Sequence, residues 1–352
     1  MLHSLERLQT PADSIELIDF LREHVNPATT KETVLWQFQL IPGKAVLIAG
    51  KDCDRIICTQ SFLPHTLRIG QEKIDTVKSE HSFLLSNYRG TPVFTDAYAM
   101  GLNTAKAEGS SICWGFTPAV KVWRDRLGFE VHTDIMYECR ALIGWPRIQW
   151  TRFPRGIFKV LQDMIRYARA TFFQSKVPAP IDEYTISSVV PKETAISQLI
   201  DSITEVGTVY LSMDEAFVRW RLDENPNVNY HVRTFELNGK LRGYMVVALS
   251  TNVEQVELQL SEFLFLEKSD GLAMLKVLLA EFGKESSTVL RYFGNRSNPI
   301  NRRVFELLVS RFACDMVLSQ GMSLVVMRDK RAHGHDVSKW YINALWTQGF
   351  TR

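Results

Sequence analysis

A chain of 352 residues, 45% hydrophobic and 23% charged, has the make-up of an ordinary globular protein and is long enough for two domains. Its net charge of +2 is too small to mark nucleic acid as a main partner. No apolar run approaches the ~18 residues of a membrane span, so no integral membrane segment is expected. The opening Met1-Leu-His-Ser-Leu-Glu lacks the basic and then apolar segments of a signal peptide. Cys53, Cys58, Cys113, Cys139 and Cys314 are odd in number, scattered, and form no C-x-x-C pair. That pattern favours a reduced, cytoplasmic chain over a disulfide framework or a zinc site, so no metal is expected.

Residues 11–25 have helical periodicity, with Ile15, Ile18, Phe20 and Leu21 as an apolar stripe and Asp13 or Ser14 as cap. Val34–Leu40 is a second apolar segment, containing Trp36. Ala45–Gly50 predicts a strand, Asp52–Arg55 its hairpin turn, and Arg55–Leu63 the returning strand. Thr66–Gly70 and Lys73–Leu85 predict further strands. A tight turn with Arg89 and Gly90 leads into a helix, Asp96 to about Gly109. Ser110–Thr117 reads as a strand and Ala119–Phe129 as a short helix closed by Gly128. Pro154–Ser175 is an amphipathic helix with a basic face, and Val177-Pro-Ala-Pro180 a linker.

The second half repeats the first in outline. Trp36 precedes Pro42 by six residues, and Trp220 precedes Pro226 by six. Each segment is followed by two strands around a polar turn, Asn238-Gly239 being the second. Glu257–Leu266 answers the strand before the turn, Asp270–Phe282 the helix, Val289–Gly294 the strand at Ile112, and Ile300–Phe312 the last helix. A duplication with a period near half the chain predicts two similar domains. They are expected at residues 1–152 and 181–352, joined through 153–180.

A strand, a glycine-containing turn and a helix N-terminus form an anion site, because unpaired backbone N–H groups and the helix dipole converge there. The order of elements around Asn87-Tyr-Arg-Gly-Thr-Pro-Val-Phe94, with Trp114-Gly-Phe and Arg126-Leu-Gly-Phe129 beyond, resembles the GNAT N-acetyltransferase superfamily. The paired tryptophan segments resemble its tandem two-domain members and, in arrangement, the Fem-type aminoacyl-tRNA-dependent transferases. The resemblance implies an α+β (mixed α/β) fold of two tandem GNAT-like domains, each a mostly antiparallel mixed sheet flanked by helices. It further implies a cytoplasmic N-acyltransferase that uses acetyl-CoA or another acyl-CoA as co-substrate. Its acceptor is expected to be a small-molecule amine, an amino sugar or amino acid, in cell-surface polysaccharide or cell-wall metabolism. Self-association into a homo-oligomer is compatible with it. The alternatives are a Fem-type aminoacyl transferase and an inactive GNAT-fold protein that binds a ligand or partner.

The resemblance assigns Arg89, Gly90, Thr91, Val93 and Phe94 to the pyrophosphate, and the backbone near Leu84, Leu85 and Ser86 to the thioester carbonyl. Two departures from the family loop stand out. Pro92 replaces a glycine and has no N–H to donate, and Phe94 replaces a small residue. Proline is nonetheless suited to the first turn of a helix. Acyl transfer to an amine needs the carbonyl held, a base, and a proton for the leaving thiolate. Glu80 is the first candidate base. It shares strand parity with Leu84, so it is expected on the same face, with His81 on the other. The family's usual acid, a tyrosine after the fifth strand, is replaced by Trp123. The second half has Glu267 and Asp270 where an anion loop would stand, which implies a degenerate repeat. His333-Gly-His335 among Arg328, Lys330 and Arg331 reads as a solvated loop, and Arg291–Arg296 as an ordinary loop. No hydrolase, ATPase or metalloprotease motif is present.

Overall fold

The structure is a computed structural model that describes residues 3–143, 164, 165, 168, 181–204, 207–251, 256–283, 288–312, 314–319, 322–328 and 336–347. The first half runs β1 (His3–Arg7), α1 (Ile15–His24), α2 (Lys31–Phe38), β2 (Val46–Asp52), β3 (Arg55–Ile69), β4 (Glu72–Leu84), α3 (Val93–Ala107), β5 (Ile112–Thr117), β6 (Glu130–His132) and β7 (Met136–Leu142). The second runs β8 (Thr185–Ser187), α4 (Glu193–Ile203), β9 (Val209–Leu211), α5 (Glu215–Val218), β10 (Asn229–Leu237), β11 (Lys240–Thr251), β12 (Val256–Phe265), α6 (Lys268–Phe282), β13 (Thr288–Asn295), α7 (Pro299–Phe312), β14 (Asp315–Leu318) and β15 (Ser323–Arg328). The duplication is visible element by element.

The residues fall into two compact units. The first holds residues 1–133, 214–227 and 320–335. Its sheet has the order β1-β2-β3-β4-β5-β15-β6. The pairs are antiparallel except β4 with β5. Polar caps start the helices: Leu17 N–H donates to Ser14 Oγ (3.2 Å) ahead of α1, one of the two caps expected there, and Thr33 N–H to Thr30 Oγ1 (3.2 Å) ahead of α2. α3 lies on the face carrying Ile48, Phe62 and Val77. It approaches closely because position 101 is glycine; a Cβ there would overlap the Phe62 ring.

The second unit holds residues 134–213, 228–319 and 336–352. Its sheet order is β14-β7-β13-β12-β11-β10-β8, again with one parallel pair, β12 with β13. Leu258, Leu260, Phe263, Leu278, Val304 and Leu308 are fully or nearly fully buried in its core.

Three expectations are corrected here. The units do not divide at 152 and 181. β7 of the first half enters the second sheet between β13 and β14, and β15 of the second half enters the first sheet between β5 and β6. Each sheet is completed by a strand from the other repeat, so the boundaries interleave. Residues 55–63 and 66–70 are one strand rather than two, β3, which carries Pro64 within it. The cysteines are not all free: Cys139 of β7 is bonded to Cys314 at the head of β14, which removes the cysteine argument for a reduced compartment. The expected helix 154–175, the linker 177–180 and His333-Gly-His335 lie outside the described residues, apart from helical Met164, Ile165 and Ala168.

Candidate active site

The site is built on a fork. β4 and β5 pair only through Thr76–Lys78 and Ile112–Trp114. Gly115, the next residue of β5, passes Ser79 so closely that a Cβ would stand 3.0 Å from Ser79 O. Beyond that point β4 continues to Leu84 with no ladder partner, among the described residues, on the edge that faced β5. A parallel pair that stops early exposes strand N–H and C=O groups to a ligand.

A β-bulge shapes this open stretch. The β3–β4 register shifts between Thr59 and Ser61, and His81 has a positive φ of 50°. A non-glycine residue in that region signals a held, strained turn. Three consecutive polar residues of β3 hold it. Thr59 Oγ1 donates to His81 O (3.0 Å). Gln60, fully buried, donates through Nε2 to Ser79 Oγ (2.8 Å) and accepts from Ser82 Oγ (2.6 Å). Ser61 Oγ donates to Glu80 O (2.8 Å) and stands 3.0 Å from His81 Nδ1. The residue types of this triad could have been noticed in the sequence, as a polar run inside the apolar strand Ile56–Leu63.

Both candidate bases meet Ser61 across the bulge, Glu80 through its backbone carbonyl and His81 through its ring, and the Glu80 and Lys78 charges both act on the His81 ring. Burial pulls the His81 pKa below its ordinary value, Glu80 opposes this, and Lys78 adds to it. The ring lies 5.4 Å from Phe38 of α2. The Glu80 carboxylate forms an ion pair with Lys78 Nζ. The Lys78 side chain is only 1% exposed, while that of Glu80 is 28% exposed. Burial pulls the Lys78 pKa down, Glu80 works against it, and Arg221 adds to the depression. The ammonium lies 5.9 Å over the Trp114 ring.

The donor side is the turn and the start of α3. Gly90 has φ +93° with open space where a Cβ would be, and Arg89 is exposed. Pro92 occupies the N-cap, and the first helical bond runs from Asp96 N–H to Pro92 O (2.9 Å). The N–H groups of Val93, Phe94 and Thr95 therefore precede the helical ladder, as an anion site requires. The Thr91 hydroxyl donates to Tyr88 O (2.7 Å). The Val93 side chain is buried against Gly50, so only its backbone faces outward chemistry. Phe94 packs toward Tyr98, at 6.2 Å. Of the three strand-end residues, Leu85 is withdrawn as a donor, because its N–H is bonded to Ile57 O (2.9 Å). Antiparallel alternation then turns the Leu84 N–H to the open side of the fork. Ser86 is exposed, with its hydroxyl toward Asn87 Oδ1 (3.4 Å).

Trp123 lies in the core, edge-on to Tyr98 (5.3 Å) and Phe129 (4.8 Å). A phenol packed against Trp123 is that of Tyr98 on α3. Its OH lies 3.5 Å from Cys113 Sγ, and burial pushes its pKa well up. Among the described residues no group of three or more metal-binding side chains is present, and no helix is long and apolar enough to cross a membrane.

The sequence matches no family model and no curated protein. The structure has clear counterparts. A conserved protein of Enterococcus faecalis described as a probable N-acyltransferase is 12% identical, with a TM-score of 0.62 over 93% of this chain and 73% of that one. A GCN5-related N-acetyltransferase from Anabaena variabilis is 11% identical, with a TM-score of 0.59 over 92% and 72%. A tandem GNAT protein from the clavulanic acid biosynthesis pathway is 12% identical, with a TM-score of 0.54 over 93% and 98%. The chain has the tandem GNAT fold.

The second GNAT unit has the same fork. β12 and β13 pair from Val256–Leu260 to Thr288–Tyr292, and β12 has its own register shift against β11 at Val246/Val247, opposite Leu260–Glu262. Residues 337–346 occupy this fork. Asn295 Nδ2 donates to Val337 O (2.8 Å) and Trp340 O (3.1 Å), and Asn301 Nδ2 to Ile342 O (2.7 Å). On the opposite side the Tyr341 hydroxyl and Asn343 Nδ2 (2.8 Å) donate to the Glu262 carboxylate. The N-terminus of α6 is closed as well. Glu267 and Asp270 form a capping box, and Asp270 also receives Arg242 Nη2 (3.1 Å) and the Tyr184 hydroxyl (2.7 Å). The first-turn N–H groups of α6 are thus met by protein carboxylates.

Proposed function

We propose that this protein is an N-acyltransferase that moves an acetyl or other acyl group from coenzyme A to an amine acceptor, with one donor site per chain, in the first unit. The observation that carries the reading is the contrast between the two forks: among the described residues no segment fills the first, beside an α3 N-terminus whose first N–H groups precede the helical ladder, and the other is filled by the chain's own residues. Arg89, the Gly90 backbone and the N–H groups of Val93 and Phe94 bind the pyrophosphate, while the Thr91 N–H and hydroxyl stay on Tyr88 O. The pantetheine runs along Leu84–Ser86, with Leu84 N–H on the thioester carbonyl. Coenzyme A supplies the activated thioester. His81, with Glu80 beside it, takes the proton of the attacking amine. The acceptor is a small molecule such as an amino sugar or amino acid. A cytoplasmic site of action goes with a CoA thioester donor.

Thermal denaturation with acetyl-CoA tests the reading. A ligand at 100 times its Kd adds about 2.7 kcal/mol, which raises Tm by roughly 5 °C in a protein of this size. The rise should disappear in Arg89→Glu. No rise in the wild-type chain at millimolar acetyl-CoA or longer acyl-CoA would remove the donor site. Pro92, with no N–H at the first turn, and Trp123, with no phenol, favour a second reading: a GNAT-fold protein that binds the CoA ester without turnover. That reading keeps the thermal shift and loses thiol release. A Fem-type aminoacyl transferase would show neither with CoA esters.

A further inference from the structure

We propose that Ser61 is a positioning residue that sets the tautomer of His81, fixing the ring proton on Nδ1 and leaving the lone pair on Nε2. This rests on the reading of His81 as the base.

A serine hydroxyl has one proton and two acceptor lone pairs. The Ser61 proton is directed to Glu80 O, at 2.8 Å. Toward His81 Nδ1, at 3.0 Å, the oxygen can then only accept. Nδ1 must carry a hydrogen, and in a neutral imidazole Nε2 is then the unprotonated nitrogen. Glu80 O is held in place because the backbone there is a bulge, fixed on either side by Thr59 and Gln60. Ser61, in turn, is fully buried on β3 and has no freedom to turn its proton to solvent. The groups acting on the ring are Ser61 from β3, Glu80 and Lys78 from β4, and Phe38 from α2, while Thr59 holds the His81 backbone carbonyl. The burial that keeps the ring neutral and the hydroxyl that orients it act together. Nε2 is ready to accept a proton from an ammonium or amine without first shedding one. The proton it accepts makes an imidazolium whose Nδ1–H remains on Ser61, with Glu80 as the nearby negative charge.

The test reads the ring directly. Full-length protein labelled with ¹⁵N is examined at pH 7.5 by long-range ¹H–¹⁵N correlation, with the His81 signals assigned by their loss in His81→Gln. The expected pattern is a pyrrole-type Nδ1 and a pyridine-type Nε2. Ser61→Ala should move the pattern to the Nε2–H tautomer favoured by free imidazole, and Ser61→Thr should restore it. A wild-type His81 in the Nε2–H form, or a pattern unchanged in Ser61→Ala, overturns the proposal. If Ser61→Ala does not fold, the wild-type pattern and Ser61→Thr still decide. No CoA ester is present in these samples, so failure of the donor reading and failure of this inference are seen in separate experiments.

Discussion

Trp36 and Trp220, equivalent residues of the two repeats, hydrogen-bond each other reciprocally. Trp36 Nε1 donates to Trp220 O (2.7 Å), Trp220 Nε1 donates to Trp36 O (2.9 Å), and the rings stack at 4.9 Å with 14° between planes. Both are buried in the first unit. Their spacing from proline marked the duplication, and the fold uses the pair as a seam. Arg221 adds a guanidinium 5.8 Å from the Trp36 ring. Trp36→Phe removes one donor and leaves the Trp220 carbonyl buried without its partner, beside a small cavity. The expected cost is about 2–4 kcal/mol. Urea unfolding of both single variants and the double variant should give a coupling above ~0.5 kcal/mol. Additive costs would mean the two bonds act independently.

Glu262 makes stability pH-dependent. It is buried, and burial raises its pKa to about 7, opposed by hydrogen bonds from Tyr341, the Phe263 N–H and Asn343. Tyr210 and Tyr292 also stand near this group of side chains. The folded-state pKa lies above the ordinary value of 4.5. The folded chain therefore keeps a proton that the unfolded chain loses. Its favourable contribution is complete below about pH 4.5 and is lost as pH rises through about 7, with a total of roughly 3 kcal/mol. Denaturation from pH 5 to 8 should show this fall in the wild type and a flatter curve in Glu262→Gln. Parallel curves would place the proton elsewhere.

The thiols give a count. Cys53 is exposed, while Cys58 and Cys113 are buried, which pushes both of their pKa values up to about 12. A neutral aromatic disulfide reagent should titrate one thiol quickly in the folded chain, because thiolate is the reactive form. Denaturant without reductant should raise the count to three, and prior reduction to five. Breaking Cys139–Cys314, which are 175 residues apart in sequence, should cost about 2–5 kcal/mol. Five thiols without reductant would remove the bond.

The repeats could be read in the sequence; the exchange between them could not. α3, β5 and the Arg89–Pro92 turn were placed by the glycine, the proline and the flanking apolar runs. β7 and β15 also carry strand patterns, but alternation says only that a segment is a strand, not which sheet receives it. The same limit hid the bulge at His81, where the period of two breaks. The filling of the second fork by residues 337–346 depends on long-range bonds from Asn295, Asn301 and Glu262 that have no local signal. Residues 1–180 expressed alone lack β15, and β5 then loses its antiparallel neighbour. This fragment should show no cooperative melt by circular dichroism, whereas sequential, self-sufficient domains would melt normally.

The ion pair of Glu80 with Lys78 makes Glu80→Gln a poor test of catalysis by itself. The lysine is buried and the glutamate only partly exposed. Removing the carboxylate leaves an ammonium in a site already biased against charge by burial and Arg221. Loss of one partner of a buried pair costs about 3–5 kcal/mol. Glu80→Gln should therefore unfold at lower urea and pull the lysine pKa further down. The double variant Lys78→Met with Glu80→Gln removes the stranded charge and fills its place with apolar volume over Trp114, so it should recover most of the loss. Turnover is then compared between the double variant and Lys78→Met alone, which separates a base from a counter-ion. If Glu80→Gln and the double variant are equally unstable, the pair is not what holds this part of β4.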